Sequence, residues 1–432
     1  QRLKNSQAKI LITDSDLYER VEKIRDSLPN LKEVILVDQD RENCQNLKTL
    51  MDHSSPSFKA VEMNPSDPAF MLYTSGTGTT PVSGIVIPHK AIVQQKKTAE
   101  WVLDLKKNDI YWCTSDPGWI TGIVYGILAP LSLGTTIVVN KDRFDAQNWF
   151  SILEKEKVSV FYSAPTAFRF LEKEDHFAKE YDFSKLRHIL SVGEALPPSS
   201  IKWAKKIFNL PIYDTWWQTE TGAIMIANFL CLPIRQGSMG KPIPGVKALI
   251  VDEQAKPVKD GEEGNLAFKP GWPSAITDIW QNRKNLNHYF KNDLYYSGDR
   301  ACKDKDGYFW FIGRADDVIK TSGERVGPFE VESSLQEHES VLESAVIGKP
   351  DKQRGQIIKA FVVLKPNFKP SDVLKEELKA HVKKTMAGHA YPREIEFRSN
   401  LPKTKTGKIM RRYLKAKEMD LPTGDISTLD EA

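Results

Sequence analysis

The chain has 432 residues, which is too long for one ordinary hydrophobic core and predicts two or more domains. Hydrophobic residues make up 40% and charged residues 27%, which predicts a globular, soluble protein, and no apolar run is long enough to cross a membrane. A net charge of +4 gives no case for nucleic acid as the main partner. Four widely spaced cysteines argue against a zinc site or a disulfide framework and suit a reducing cytosol.

The first 220 residues alternate between strand and helix patterns. Apolar runs at 8–13 and 34–38, separated by a charged helical segment, predict a βαβ unit of a parallel sheet. Residues 39–68 are polar and contain three prolines, so we expect loops and helix fragments there. Further strands are predicted at 69–73, 110–113, 135–139, 158–162 and 186–193, and helices at 89–105, 149–157, 166–174 and 199–208. This alternation predicts a layered α/β domain.

The pattern changes at Gly237. Glycines and prolines then separate short strands such as 248–252 and 264–268, which predicts an antiparallel sheet or a small β-barrel. A small α/β segment follows Asp317, with predicted helices and strands at 330–337, 341–347, 358–364, 375–384 and 394–397. We place a domain boundary at Asp316, giving domains 1–316 and 317–432, and expect the acidic tail from Glu418 to be loose.

Two stretches carry residues suited to ligand chemistry. Residues 213–222 contain two adjacent tryptophans beside an aspartate, a glutamate and three threonines, which favours a pocket wall that is apolar on one side and polar on the other. The alternative is a buried strand that runs into a polar turn. Residues 74–80 are serines, threonines and glycines after a strand, and such a loop can wrap phosphate. It is not a Walker loop, because no Gly-Lys-Ser/Thr follows; a plain flexible turn is the alternative.

Seven stretches occur in an order that resembles adenylate-forming enzymes, most similar to the acetyl-CoA synthetases. They cover residues 73–81, 191–196, 213–222, 296–299, 313–320, 321–332 and 401–412. The chain departs from the family in the phosphate loop, where Gly78 comes one place early and residues 81–84 replace Pro-Lys-Gly. Family members carry a further stretch before the point that matches Gln1, so we expect Gln1 to lie inside the N-terminal domain.

The resemblance implies roles for individual residues. ATP or AMP binding is implied for Thr74, Ser75, Gly76, Thr77, Gly193, Glu194, Ala195, Asp214, Thr215, Trp216, Gln218, Thr219, Asp299, Arg314 and Arg325. Catalytic roles are implied for Lys408, Thr219 and Glu220, with Glu220 also the Mg²⁺ ligand, in keeping with the preference of hard cations for carboxylate oxygens. Trp217 and Trp119 would line the acyl pocket, Ser322 and Gly323 would contact coenzyme A, and Asp316 would be the hinge.

The resemblance thus implies an α/β N-terminal domain with several sheets and a small β-barrel, followed by a small mobile α+β C-terminal domain. It implies an acid–CoA ligase that uses ATP, Mg²⁺ and coenzyme A. A short-chain carboxylate such as acetate becomes acyl-AMP and then acyl-CoA. An indole at the pocket floor leaves room only for a short acid.

Three alternatives remain open. They are a medium-chain or aromatic acyl-CoA synthetase, an amino-acid-activating domain that loads a carrier, and a catalytically impaired nucleotide-binding homologue. We expect small-molecule partners, no nucleic acid or membrane partner, and a cytoplasmic location. The exact acid, the oligomeric state and any modification of Lys408 stay open.

Overall fold

The computed structural model describes residues 2–74, 83–322, 324–386, 390–404, 408–423 and Leu429. Its β-strands are, in chain order, β1 (Ile10–Thr13), β2 (Glu33–Leu36), β3 (Gln45–Asn46), β4 (Pro68–Thr74), β5 (Ser83–Pro88), β6 (Ile110–Cys113), β7 (Thr136–Val138), β8 (Val160–Ser163), β9 (His188–Ser191), β10 (Ile212–Trp216), β11 (Ile226–Ala227), β12 (Ser238–Pro242), β13 (Ala248–Val251), β14 (Glu263–Phe268), β15 (Asp278–Ile279), β16 (Phe290–Lys291), β17 (Leu294–Lys303), β18 (Phe309–Arg314), β19 (Ile319–Thr321), β20 (Glu324–Val326), β21 (Val341–Asp351), β22 (Gly355–Leu364) and β23 (Glu394–Phe397). Its α-helices are α1 (Arg2–Ser6), α2 (Ser15–Glu22), α3 (Leu47–Asp52), α4 (Ala91–Trp101), α5 (Ile120–Ile123), α6 (Ala129–Ser132), α7 (Ala146–Lys155), α8 (Pro165–Lys173), α9 (Pro198–Phe208), α10 (Leu286–Tyr289), α11 (Pro328–Gln336), α12 (Asp372–Thr385) and α13 (Arg411–Glu418).

Helix starts follow from residues that satisfy free backbone N–H groups or that lack one. Asp14 caps α2 by accepting a hydrogen bond from Leu17 N at 2.7 Å, and Asp145 caps α7 by accepting one from Asn148 N at 2.7 Å. Helices α8, α9 and α11 begin with a proline, whose missing N–H costs nothing in the first turn. The predicted helices therefore form, with ends shifted by a few residues.

The N-terminal βαβ unit is confirmed. Strand β1 pairs with β2 in parallel through Ile10↔Glu33 to Thr13↔Leu36, and α2 connects the two strands. Tyr18 from α2 packs with Val34 and Leu36 in a small separate core.

The larger α/β part contains five parallel strands in the order β7-β6-β8-β9-β10. Neighbouring residues along these strands enter different cores: Tyr111 and Tyr162 pack on one face, while Trp112 and Phe161 pack on the other. Both faces of the sheet are therefore covered, as the continuous apolar runs of these strands predict.

The strands beyond β10 continue the same sheet with antiparallel pairing, in the order β10-β11-β12-β18-β17-β14-β13. The antiparallel pairing predicted beyond Gly237 is confirmed. Strands β17 and β18 pair so that Asp299 lies opposite Arg314. The junction at β10 therefore brings residues about 80 positions apart, such as Trp216 and Asp299, to one place in the sheet.

The C-terminal elements form a separate sheet in the order β20-β19-β22-β21, with β23 parallel to β22. Helices α11 and α12 pack on it around Val331, Leu335 and Leu378. This unit contacts the preceding part through α8 against β21 and through α11 against β18. The boundary at Asp316 stays a prediction. Within the described part of the chain, no helix combines the length and apolarity that crossing a bilayer requires.

Candidate active site

The predicted binding motifs follow the carboxyl ends of the parallel strands. Strand β9 ends at Ser191 and leads into residues 193–195, and β10 ends at Trp216 and leads into residues 217–220. Ligands of open α/β sheets bind at this edge, because the loops after the strands converge there.

Asp299 joins the two parts of the sheet. Trp216 Nε1 donates to Asp299 Oδ2 at 3.0 Å, and Gln218 Nε2 donates to the same oxygen at 3.3 Å. Arg314 Nη1 donates to Asp299 Oδ1 at 2.8 Å. Gln218 and Arg314 also both donate to the carbonyl oxygen of Ser297. The structure thus brings together four residues predicted to bind ATP, although their contact with a nucleotide stays a prediction.

The irregular backbone of β17 just before Asp299 favours glycine. Gly298 has φ +74°, and a Cβ atom there would lie 2.9 Å from Arg314 Nη2. Burial raises the pKa of Asp299, while Arg314 and the Trp216 hydrogen bond act in the opposite direction. The three donors Trp216, Gln218 and Arg314 use three of the about four lone pairs of the carboxylate, so one on Oδ1 is left to accept a hydrogen bond from a ligand hydroxyl group.

Glu220 sits in a 3₁₀ turn, Thr219–Thr221, closed by reciprocal hydrogen bonds between Gln218 and Thr221. Its Oε1 accepts a hydrogen bond from Tyr289 OH at 3.1 Å, and burial raises its pKa. No cluster of three or more His, Cys, Asp or Glu side chains among the described residues could hold a metal ion. A single half-buried carboxylate suits Mg²⁺, which commonly takes one or two carboxylates and fills its shell with substrate phosphates and water.

Trp217 is fixed by two tyrosines. Its ring meets Tyr125 edge to face, with 5.0 Å between centroids, and its Nε1 donates to Tyr162 OH at 3.4 Å. Tyr125 lies in a π-helical turn, Val124–Leu128, and its OH accepts a hydrogen bond from Ile224 N at 2.8 Å. Trp119 precedes α5, at the start of the same helical stretch. The indole of Trp217 is therefore a rigid, 9% exposed wall.

Asp214 and Thr215 are tied to β9. Ser191 Oγ donates to Asp214 Oδ1, and Thr215 Oγ1 donates to Ser191 O at 2.7 Å. Burial raises the pKa of Asp214 to about 7. These contacts lie within the sheet, and nucleotide binding by the two residues stays a prediction.

Glu194 follows Gly193, which has φ +92°, and its carboxylate faces α8. Thr166 Oγ1 donates to Glu194 Oε1 at 2.8 Å, and Arg169 Nη2 donates to Glu194 Oε2 at 3.2 Å. The predicted nucleotide-binding turn at 193–195 is therefore anchored to the first half of α8.

Arg325 lies on a different side of β17. Its Nη1 is 3.9 Å from Glu253 Oε1, an oxygen that also lies 3.6 Å from Arg300 Nη1. Successive strand residues face opposite sides, so Arg300 and Arg325 are on the face opposite to the Asp299 carboxylate. Arg325 therefore does not lie beside Asp299 and Arg314, and the phosphate contact predicted for it stays a prediction.

The remaining predicted residues divide into described and undescribed ones. Ser322 has φ +52°, and its Oγ accepts a hydrogen bond from Arg354 Nη1 at 3.0 Å. Ser75, Gly76, Thr77 and Gly323 lie outside the described residues, as does the side chain of Thr74.

Lys408 and Asp316 lie near the junction of the two parts of the chain. Lys408 is exposed, and its backbone pairs with Thr404, whose N donates to Lys408 O at 2.8 Å. Its positive charge is the weakest of the effects that oppose burial at Asp299, and the pKa of that carboxyl stays raised. Asp316 is also exposed, with Oδ1 3.7 Å from Arg314 Nε. In this arrangement the charge of Lys408 contributes to the electrostatics of the Asp299 carboxyl, and its role in the reaction stays a prediction.

Comparison with known proteins identifies the family. A family model described as "AMP-binding enzyme" matches residues 1–271, and one described as "AMP-binding enzyme C-terminal domain" matches residues 330–408. The chain belongs to the AMP-binding enzyme family. The resemblance to adenylate-forming enzymes is confirmed.

Among curated relatives, the acetyl-coenzyme A synthetase of Bacillus subtilis (strain 168) is 51% identical over 435 residues, covering 100% of this chain and 76% of the relative. The acetyl-coenzyme A synthetase of Methanothrix thermoacetophila is 38% identical and covers 99% of this chain and 70% of the relative. The mitochondrial acyl-coenzyme A synthetase ACSM3 of Mus musculus is 38% identical, and the match covers 96% of this chain and 73% of the relative.

Solved structures agree on the fold. The anthranilate CoA ligase AuaEII, solved with anthranoyl-AMP, has a TM-score of 0.90 and 31% identity, covering 96% of this chain and 79% of the other. A benzoate CoA ligase from Burkholderia xenovorans LB400 has a TM-score of 0.84 and 31% identity, covering 96% and 81%. The predicted fold class is confirmed.

Several site residues have no counterpart among the sequence predictions. Tyr289 holds Glu220, Tyr295 OH donates to Gln218 Oε1 at 2.9 Å, and Tyr125 supports Trp217. The sequence could have indicated that Arg169 is buried, because it lies among the apolar residues of the predicted helix α8, beside Phe168. A charged residue on an apolar helix face indicates a buried partner.

The turn that carries Glu220 depends on Gly222, which gives the first prediction. Gly222 has φ +70°, and a Cβ atom there would lie 2.1 Å from Ser274 O. We expect Gly222→Ala to lower the free energy of unfolding by about 3 kcal/mol, because backbone strain and a backbone clash add together. Gly245→Ala is the control, with φ +90° and no atom within 4 Å of the added Cβ. We expect the free energy of unfolding of this control to fall by only about 1 kcal/mol. Urea unfolding measures both, and equal losses would contradict the clash.

Proposed function

We propose that this chain is an acetate–CoA ligase that forms AMP. Acetate, or another short-chain carboxylate, reacts with ATP to give acyl-AMP and pyrophosphate, and coenzyme A then takes the acyl group and releases AMP. The observation that carries the proposal is 51% identity over the whole chain to an acetyl-coenzyme A synthetase. The rigid indole of Trp217 supports a short acid.

The first half-reaction needs positioning and charge neutralisation more than covalent help from the protein. A carboxylate oxygen attacks the α-phosphorus, and the bond from that phosphorus to the pyrophosphate oxygen breaks. Asp299 would accept a hydrogen bond from a ribose hydroxyl through its remaining lone pair, and Thr219 would donate to a phosphate oxygen. Lys408 would stabilise the negative charge that develops on the α-phosphate.

The half-buried carboxylate of Glu220 would hold Mg²⁺, which would supply positive charge to neutralise the phosphates. Tyr289 orients that carboxylate through its hydrogen bond to Oε1. Arg314 lies near enough to lower the pKa of Glu220 and so favours its ionised form.

The second half-reaction is an acyl transfer from phosphate to sulfur. The thiolate of coenzyme A attacks the carbonyl carbon of acyl-AMP, and AMP leaves with the electron pair of the broken C–O bond. We propose that residues 317–432 turn about Asp316 between the steps, exchanging Lys408 for the Ser322–Gly323 side of this domain. Such gating lets one site carry out two reactions.

The protein would act on small molecules, and we also propose a cytoplasmic location. The four cysteines are free thiols, which suits a reducing compartment.

An aromatic or medium-chain acid is the second candidate substrate class. It is favoured by the similarity to an anthranilate and a benzoate CoA ligase, at TM-scores of 0.90 and 0.84. Trp217 argues against it, because a fixed indole excludes added methylenes.

Acetate-dependent exchange of labelled pyrophosphate into ATP tests the proposed activity directly. We expect exchange with acetate and less exchange as the acid is lengthened to octanoate, because each excluded methylene forfeits about 0.8 kcal/mol and adds a clash. A folded sample that exchanges with none of these acids would favour a catalytically impaired nucleotide-binding protein, the alternative raised by the altered loop at 74–84.

Trp217→Gly tests the acyl pocket. We expect acceptance of hexanoate or octanoate to increase at the expense of acetate, by about tenfold in relative kcat/KM. Trp203→Ala is the control, because Trp203 is equally buried but packs in the core on the other side of the sheet. The control should lose stability without changing acyl preference. An unchanged preference in Trp217→Gly would reject the pocket assignment.

Lys408→Ala tests the first half-reaction. We expect pyrophosphate exchange to fall by about 10²–10³, because a positioned donor on developing charge is lost. Formation of acetyl-CoA from supplied acetyl-adenylate should persist. Lys352→Ala is the control, because Lys352 is an exposed lysine in the turn between β21 and β22 of the C-terminal sheet. It should leave both half-reactions unchanged. Equal loss of both steps in Lys408→Ala would remove Lys408 from its proposed role.

A further inference from the structure

Helix α8 carries a row of side chains that contact the C-terminal elements. Three positions of α8 take part, and each of these side chains meets a residue of the C-terminal part through an ion pair or a cation–π contact. They pair Arg169 with Glu343 at 3.3 Å, Phe170 with Lys403 at 4.3 Å from the ring centroid, and Glu172 with Lys365 at 3.9 Å. Helix α8 is therefore a docking surface for the unit that bears Lys408.

Arg169 is the most buried of the three α8 residues, with a side chain 6% exposed. Its guanidinium reaches in two directions: Nη2 is 3.2 Å from Glu194 Oε2, and Nε is 3.3 Å from Glu343 Oε1. Glu194 belongs to the predicted nucleotide-binding turn, and Glu343 belongs to β21. One side chain therefore links that turn to the C-terminal sheet.

Arg169 stays protonated between its two carboxylate partners. Burial acts to lower its pKa, but the charges of Glu194 and Glu343 outweigh burial and raise it. The planar fork of arginine can serve two carboxylates at fixed angles, which a lysine ammonium cannot do as well.

Each half of the contact keeps a partner when the two halves separate. Glu343 also accepts hydrogen bonds from Lys403 Nζ at 2.8 and 2.7 Å, and Lys403 lies on the same side of the boundary. Arg169 would keep Glu194. Separation therefore leaves no buried charge without a counter-charge, which removes the large cost of breaking an ordinary buried ion pair. Such an interface can hold one orientation and still release it.

We propose that Arg169 is a positioning residue that holds the C-terminal domain in the orientation of this structure, from which Lys408 would serve the first half-reaction. Through Glu343 it favours the first half-reaction over the second, and it acts without touching the reacting atoms. This inference rests on the proposed two-step activity, because only a domain that changes orientation needs a releasable contact.

Two substitutions from opposite sides of the contact test the inference. Arg169→Gln and Glu343→Gln should each lower acetate-dependent pyrophosphate exchange by about tenfold, because the orientation that presents Lys408 becomes less populated. Formation of acetyl-CoA from supplied acetyl-adenylate should stay within about twofold of the unaltered protein. Arg169→Lys should give an intermediate exchange rate, because it keeps the charge and loses the fork.

Arg187→Gln is the matched control. Arg187 also binds two acids, Asp104 and Asp109, but both belong to the same part of the chain. It should leave the ratio of the two half-reactions unchanged. Unchanged exchange in Arg169→Gln, or equal loss of both half-reactions, would overturn the inference.

A distance measurement separates this inference from the proposed activity. Dyes on exposed Cys231 and on a cysteine introduced by Val373→Cys, at a side chain 79% exposed, report the separation of the two parts by energy transfer. With ATP present, Arg169→Gln should populate a second distance that the parent does not. An unchanged distribution would overturn the role of Arg169 even if the parent is active. If the unaltered protein exchanges pyrophosphate with none of the acids, the proposed ligase activity is wrong. The distance between the dyes would still show whether the Arg169–Glu343 contact holds the C-terminal domain.

Discussion

The hydrogen bond from the Trp216 indole to the Asp299 carboxylate fixes the meeting point of two differently built parts of one sheet. Trp216 ends a parallel strand, and Asp299 lies on an antiparallel strand reached about 80 residues later. The indole is held from its other side by Phe268, whose ring stacks on it with centroids 5.2 Å apart. Because Asp299 also binds Gln218 and Arg314, a single buried carboxylate sets the relative positions of the strand-end loop and the segment that leads to the C-terminal unit.

Burial gives this site its electrostatic character. Asp299 and Glu220 both have a raised pKa, because burial disfavours their charged forms, and Arg314 opposes the shift in each. A cation bound beside Glu220 would favour its ionised form further, since nearby positive charge and burial act in opposite directions on a carboxyl group. The same argument applies to the proposed approach of Lys408. A site of this kind favours Mg²⁺ and nucleotide together over the nucleotide alone, because the phosphates would otherwise face buried acids.

The sequence predicts the elements of this fold better than their ends, and contacts within motifs better than contacts between them. Helix α7 begins at Ala146 rather than at Trp149, because Asp145 caps it, a signal that apolar spacing does not carry. Trp216, Asp299 and Arg314 could be grouped because each lies in a family signature. Arg169 and Glu343 could not, since 174 positions separate them and neither lies in a signature. Tyr125 and Tyr289 could not be predicted either, because only the packing of the folded chain brings their hydroxyl groups to the site.

The contact at α8 has a physical feature that a permanent domain interface lacks. An interface that is meant to stay closed is stabilised by apolar burial, whereas here charged groups dominate and each of the central ones has a second partner on its own side. Arg411 and Glu332 behave differently, since both lie after Asp316 and their buried pair does not cross the boundary. Separation of the two parts would therefore leave the C-terminal unit internally paired. The balance between the two orientations would then depend partly on the shared Arg169 and on the turn that it holds through Glu194, beside the contact of α11 with β18. This arrangement places one control of the domain position next to the proposed ATP site.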